Sequence, residues 1–162
     1  MLTIVTVEPG AREADGIVRA YMSDVASRYY GRPATSDEVQ QAMLDEPYDD
    51  LAGASGTFVI ASEDGHAIAC AGARFGQGVA DLTKVFTLPE FRGRGVGTLL
   101  LGHLELACRE RGLRVLRLDT RSDLTEACAL YERLGFARVE AFNQEPYSDR
   151  WYAKALTGSA LP

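Results

Sequence analysis

The chain has 162 residues, of which 46% are apolar and 25% charged, a length and balance that fit one domain with its own core. A net charge of −6 argues against nucleic acid as a main partner and suits a cationic substrate. Cys70, Cys108 and Cys128 form no CxxC pair, and no stretch nears the ~18 apolar residues of a membrane helix; neither disulfides, a metal site nor a membrane is expected, and a cytoplasmic location is.

Leu2 to Glu8 alternates as a strand and Pro9-Gly10 ends it. Ala11 to Tyr30 carries Ile17, Val18, Tyr21 and Val25 at helical spacing, and Thr35-Ser36-Asp37-Glu38 starts a second helix that reaches about Leu44. Asp45 to Ser55 reads as loop. Gly56 to Ser62 and His66 to Phe75 form a hairpin across Glu63-Asp64-Gly65, and Val79 to Leu88 completes a meander. Gly95 to Arg111 is a helix with Val96, Leu99, Leu100, His103, Leu104 and Ala107 on its inner stripe, stopped by Gly112. Leu113 to Asp119 is a strand and Thr125 to Leu134 a helix with Ala127, Leu130, Tyr131 and Leu134 inward. Phe136 to Phe142 and Arg150 to Leu156 are the last strands. The order β-αα-βββ-α-β-α-ββ predicts an α/β (α+β) fold: a mixed, mostly antiparallel sheet of six to seven strands flanked by about four helices. Residues 1–156 form the domain and 157–162 a loose tail.

The informative segment runs from Val85 to Thr98 and contains Arg92-Gly93-Arg94-Gly95-Val96-Gly97 between a strand and a long helix. A helix start offers unpaired N–H groups and partial positive charge. Glycines let a ligand approach the backbone, so the run suits phosphate, with Arg92 and Arg94 adding cationic donors. A ligand-free turn and a dinucleotide fold are the competing readings; Asp119 even falls near where a ribose-binding acid belongs. The antiparallel meander ahead of the run speaks against the dinucleotide fold, and the lack of Gly-Lys-Ser/Thr excludes a P-loop.

These residues resemble the GNAT superfamily of N-acetyltransferases, in a bacterial group with poorly defined substrates. Its Arg/Gln-x-x-Gly-x-Gly/Ala signature is matched by Arg92, Gly95 and Gly97, with Pro89 upstream. A second motif, A-x-x-L-Y-x-x-x-G-F, is matched from Ala127 to Phe136. Phe142 to Tyr152 resembles the Y-N-x-x-P-Y-x-x-x-W-F ending of that group.

The resemblance implies transfer of an acetyl group from acetyl-CoA to a primary amine or peptide N-terminus, by direct attack in a ternary complex. Val85, Phe86 and Thr87 would meet the pantetheine arm, and Arg92, Gly93, Arg94, Gly95, Val96, Gly97 and Thr98 the pyrophosphate. Tyr131 would protonate the departing thiolate, as a phenol of pKa near 10 can. Asp81 would act as base, directly or through water, with Asp119 and Glu90 as lesser candidates. A backbone N–H, that of Thr87, would face the oxyanion. Tyr29, Asn143 and Tyr147 would line the acceptor pocket, near Tyr30 and Tyr48. Leu124 stands where many members carry Asn, so one contact is absent or comes from elsewhere. No metal is implied, and a homodimer stays open. The rival from another class is a non-catalytic acyl-CoA-binding sensor of the same fold. His103 is expected to be packed, His66 to sit in the hairpin, and the cysteines to be core residues.

Overall fold

The computed structural model describes residues 1–156; the expected tail at 157–162 lies outside them. Strand β1 (Leu2–Thr6) precedes helices α1 (Arg12–Tyr30) and α2 (Ser36–Asp45). The meander β2 (Gly56–Glu63), β3 (His66–Phe75) and β4 (Val79–Thr87) follows, then a short 3-10 turn at Pro89–Phe91. Helix α3 (Val96–Glu110), strand β5 (Val115–Thr120), helix α4 (Thr125–Arg133), β6 (Ala137–Val139) and β7 (Arg150–Ala155) complete the described chain. The seven strands lie in the order β1-β2-β3-β4-β5-β7-β6. Only the β4–β5 pair is parallel, so the expected mixed, mostly antiparallel sheet is what forms.

Local chemistry sets the helix limits. Gly31, at φ 71°, caps α1 in the left-handed region and donates its N–H to the carbonyl of Ser27. Thr35 and Glu38 form a reciprocal capping box at the start of α2. Two cores flank the sheet. Helices α1 and α2 bury Ala14, Ile17, Val18, Met22 and Val39 against Phe58, Ile60, Cys70 and Phe86. On the other face α3 and α4 bury Leu100, Leu101, Leu104 and Tyr131 against Val59, Leu82, Leu116 and Leu118.

Three details depart from expectation. The inner stripe of α3 is Val96, Leu100, Leu101, Leu104 and Cys108, while Leu99 is 52% exposed and His103 faces solvent. The sheet receives the i, i+4, i+8 row that starts at Val96, and this rotation leaves the neighbouring row outside. Strand β6 holds three residues instead of the seven expected. It is an edge strand that pairs only with β7, and the chain after Val139 turns away to cover the sheet. Strand β5 starts at Val115, two residues late, because Leu113 still closes the end of α3 by donating to the carbonyl of Cys108. All three cysteines are buried, and His66 is an exposed hairpin residue, as expected.

Candidate functional site

Strands β4 and β5 pair from Val79↔Val115 to Asp81↔Arg117 and then separate. Beyond that point β5 continues to pair with β7, and β4 with β3, so a gap opens between them. Leu88 donates its N–H to Ile68 across β3. By strand alternation Phe86 also turns its polar groups to β3, and Val85 and Thr87 turn theirs to the gap. Phe86 is further committed by its side chain, buried and edge-on to Tyr21 at 5.8 Å. Among the three residues expected along the pantetheine, Val85 and Thr87 therefore face the opening and Phe86 does not.

The glycine loop closes one end of this gap. Gly93 and Gly95 take φ of 80° and 79°, and a Cβ on either would meet nothing within 4 Å. Positive φ explains glycine at both positions, and the space above them is open to a ligand. Gly97 is glycine for another reason: a Cβ there would stand 2.9 Å from Cδ2 of Leu130. It lets α3 and α4 approach. Val96 is buried and offers only its backbone, whereas Thr98 is exposed.

The two arginines are placed differently from the expectation that both reach phosphate. Arg92 donates from Nε to the carbonyl of Thr87 at 2.9 Å and lies 3.6 Å from Asp24 and 3.5 Å from Glu126. Arg28 joins the same acids, 3.3 Å from Asp24 and 2.5 Å from Glu126. Arg92 thus ties the loop to α1 and α4, and its charge is already matched. Arg94 is the exposed cation of the loop, stacked on Phe91 at 5.1 Å and 3.5 Å from Glu63.

Tyr131 lies in α4, packed against Phe136 and Tyr152 at 5.8 Å each. Burial, then the nearby hydroxyl of Tyr21, pushes its phenol well above the ordinary tyrosine range. Tyr21, from the opposite face of the sheet, is thus near enough to act on Tyr131. Among the described residues Nε of Arg150 is the one enclosed side-chain nitrogen or oxygen without a partner. The Tyr131 hydroxyl makes no hydrogen bond among the described residues and is not among these enclosed atoms.

Asp81 sits at the last β4–β5 pair, 2.6 Å from Nε of Arg117 and across β3 from Arg74. This carboxylate is already engaged at the closed end of the gap, which weakens the expectation that it serves as base. Asp119, two residues further along β5, belongs to the open part. It accepts from Nδ2 of Asn143 at 2.9 Å and from Oγ of Ser148 at 2.5 Å. Asn143 also accepts from Nε1 of Trp151 at 2.9 Å. The β6–β7 loop is so clamped over β5. Glu90 lies in the exposed 3-10 turn.

Of the three residues expected in the acceptor pocket, Tyr29 and Tyr147 come together, whereas Asn143 is held on Asp119 and lies outside the hollow beside them. Tyr29 meets Tyr147 edge-on at 5.2 Å, beside a hollow of about 290 Å³ that Arg121, Pro146 and Ser148 also line. Tyr30 packs on Tyr29, whereas Tyr48 is buried, accepts from the N–H of Gly10 at 3.0 Å and donates to Asp15. Tyr48 locks the start of α1. Leu124 precedes α4 as its N-cap and supplies no side-chain hydrogen bond.

Sequence reading missed Tyr21 and Lys84, 5.9 Å apart on the α1–α2 face, and Glu46 and Glu145, whose charges act on them or on each other. Tyr21 is pushed up by burial, then by Glu46, with Cys70 and Asp119 adding to the shift. The Glu145 carboxyl is pushed up by burial and by Asp119 and Glu46. Lys84 is the one buried charged residue among those described. Its signal was present: a lone cation in the alternating row Ala80, Leu82, Lys84, Phe86. No group of three or more His, Cys, Asp or Glu suited to a metal occurs among the described residues.

A sequence model of the acetyltransferase (GNAT) family matches residues 20–136. A ribosomal protein bS18-alanine N-acetyltransferase from Haemophilus influenzae is 39% identical over 61 residues, 38% of this chain and 41% of that enzyme. For several curated relatives the matched stretch spans less than half of the relative's own length. A GNAT-family acetyltransferase from Staphylococcus aureus shares the fold with a TM-score of 0.78 at 17% identity, covering 97% of this chain and 100% of that one. An N-acetyltransferase from Thermoplasma acidophilum, solved in complex with coenzyme A, gives 0.75 at 15% identity over 94% and 99%.

Proposed function

The chain belongs to the acetyltransferase (GNAT) family, and from that premise we propose that it moves an acetyl group from acetyl-CoA to a primary amine. The observation that carries this reading is the parting of β4 from β5 after Asp81↔Arg117, with the glycine loop at its mouth and Tyr131 and Asp119 beside it. The residues present fit a coenzyme A donor. Two exposed loop glycines leave room for a diphosphate at a helix start, and the backbone of Val85 and the N–H of Thr87, whose carbonyl is held by Arg92, face an extended arm. Acetyl-CoA supplies the activated acyl group and a thiol leaving group.

The chain's own residues then have separable tasks. N–H groups at the start of α3 and the Arg94 guanidinium hold the diphosphate. The Thr87 N–H faces the negative charge that develops on the acyl oxygen. An amine is protonated near neutral pH and must lose a proton before it attacks. We assign that proton to Asp119, directly or through water. Its two hydrogen bonds leave lone pairs unused, and it lies in the open part of the gap, unlike Asp81. Tyr131 holds its proton in the resting enzyme, gives it to the sulfur as the carbon–sulfur bond breaks, and takes back the proton that the acylated nitrogen sheds. The products are the N-acetyl amide and free coenzyme A, with no covalent enzyme adduct.

The Haemophilus relative's name specifies the alanine of bS18, so a peptide α-amine is one acceptor to include. Free-thiol release from acetyl-CoA across a panel of small amines, amino acids and peptides tests the proposal. Turnover with any one of them supports it. Tight acetyl-CoA binding with no turnover across the panel would leave a binding module instead.

A further inference from the structure

Lys84 occupies an unusual place. It is 5% exposed and takes a φ of 56°, one of two non-glycine residues in the left-handed region among those described. It lies where the β3–β4 register shifts between Cys70↔Phe86 and Gly72↔Thr83. The shift turns the strand over: Ala80 and Leu82 face α3, while Phe86 faces α1. Lys84 follows Phe86, with its ammonium 5.9 Å from the centre of the Tyr21 ring. Both the backbone conformation and the burial of a charge cost stability.

That charge is not neutralised from within. Asp50 is held by Arg74, through Nε and through Nη2 at 3.0 Å. Glu46, exposed after α2, is not within salt-bridge distance, and Lys84 forms no ion pair within 4.0 Å among the described residues. Nor is it sealed in, since the only enclosed unpartnered nitrogen there is that of Arg150. Lys84 thus keeps a small exposed surface and no ion pair among the described residues, with its amine beside the Tyr21 ring. The opposite wall is acidic, with Asp119 on β5 and Glu145 in the β6–β7 loop, the latter close enough to feel Lys84.

We propose that Lys84 is the specificity residue of the acceptor site and binds a carboxylate of the acceptor, so that the substrate class is a free α-amino acid, its amine toward Asp119 and Glu145 and its carboxylate toward Lys84. The inference rests on the transferase reading for the amine's fate, while the carboxylate contact stands on the cleft itself. A zwitterion complements a cleft with a cation on one wall and acids on the other. A polyamine would leave Lys84 facing a like charge, and a peptide N-terminus would leave it facing a neutral amide.

The test pairs each of the twenty L-α-amino acids with its own carboxamide, using the full chain with coenzyme A present. Thermal shift reads binding, and thiol release from acetyl-CoA reads turnover. At least one amino acid should bind about tenfold or more tightly than its amide, with a matching ratio in kcat/KM. Lys84→Met should bring that ratio close to one by weakening the acid alone, and Lys84→Arg should restore much of it. A retained coenzyme A shift in Lys84→Met shows that the fold persists; if that shift is lost, the Lys84→Arg ratio and the wild-type ratio decide. Binding that favours the acid without turnover keeps the carboxylate contact and removes the transferase reading. Amides bound as well as acids, no binding by any amino acid, or a ratio unchanged in Lys84→Met would each overturn the inference.

Discussion

The two walls of the cleft are built from different materials. The wall proposed to hold the donor is largely backbone: a strand edge, two exposed glycines and the first turn of α3, all between Val85 and Thr98. Its arginine at position 92 is spent on Thr87, Asp24 and Glu126. The acceptor wall is side chains, drawn from α1, the end of α2, β4, β5 and the β6–β7 loop: Tyr21, Glu46, Lys84, Asp119 and Glu145. Backbone geometry recognises what every donor shares. Side-chain charge can be exchanged one residue at a time, so it can set which amine enters without disturbing the donor site.

The sharpest break in that division should come at Tyr131, which serves both walls. Tyr131→Phe should lower kcat by about 10³-fold with little change in acetyl-CoA Kd, measured by calorimetry beside turnover. Its pKa is raised, so the acid form persists as pH climbs. The kcat profile should accordingly show no falling alkaline limb below the ordinary tyrosine value near 10. A limb between pH 8 and 9 that persists in Tyr131→Phe would assign the proton elsewhere.

Asp119→Asn should touch the acceptor wall alone. It should cost about 10²-fold in kcat/KM for the amine at neutral pH, recovering as free amine rises, with donor affinity intact. Asp81→Asn should show a smaller effect without that recovery; the reverse ranking would return the base to Asp81.

On the donor wall, Gly95→Val places a β-branched residue at φ 79°. Strain of about 1–3 kcal/mol is expected there, and with it roughly tenfold weaker coenzyme A binding. Unchanged binding would mean that the loop does not hold the diphosphate.

The smallest effect lies outside both walls. Glu38 is half-buried, and its carboxyl is lowered to about 2, first by Arg32 and then by the N–H of Thr35. A lowered carboxyl contributes stability above its unfolded value and loses it as pH falls through the folded one. The thermal unfolding temperature should therefore fall as pH drops from about 4.5 to 2. Glu38→Gln should flatten that slope and leave the cleft's chemistry as it was.

Much of the fold was legible because it rests on local signals. Alternation marked the meander, glycines ended α1, α3 and α4, and Thr35 with Glu38 marked α2. The donor loop was legible for the same reason, being contiguous. His103 was misplaced because Leu99, His103 and Ala107 are as well spaced for a helix face as Leu100, Leu104 and Cys108; only packing chooses between adjacent rows. Strand β6 was overextended because its alternation continues into a loop that the clamp on Asp119 pulls away from the sheet.

The sequence by itself determined the class of chemistry. Short-range physics sets turns, caps and anion-binding helix starts, and two motifs with that physics belong to one family. Only the tertiary structure decided which charges remain available. Arg92 and Asp81 looked free and are paired, while Lys84 shares a sequence row with Leu82 and Phe86 and ends unpaired on the acceptor side. One residue of positive φ reverses the strand's faces, and an ion pair forms wherever distant segments meet. Neither depends on neighbours in the chain, so neither is written in local pattern.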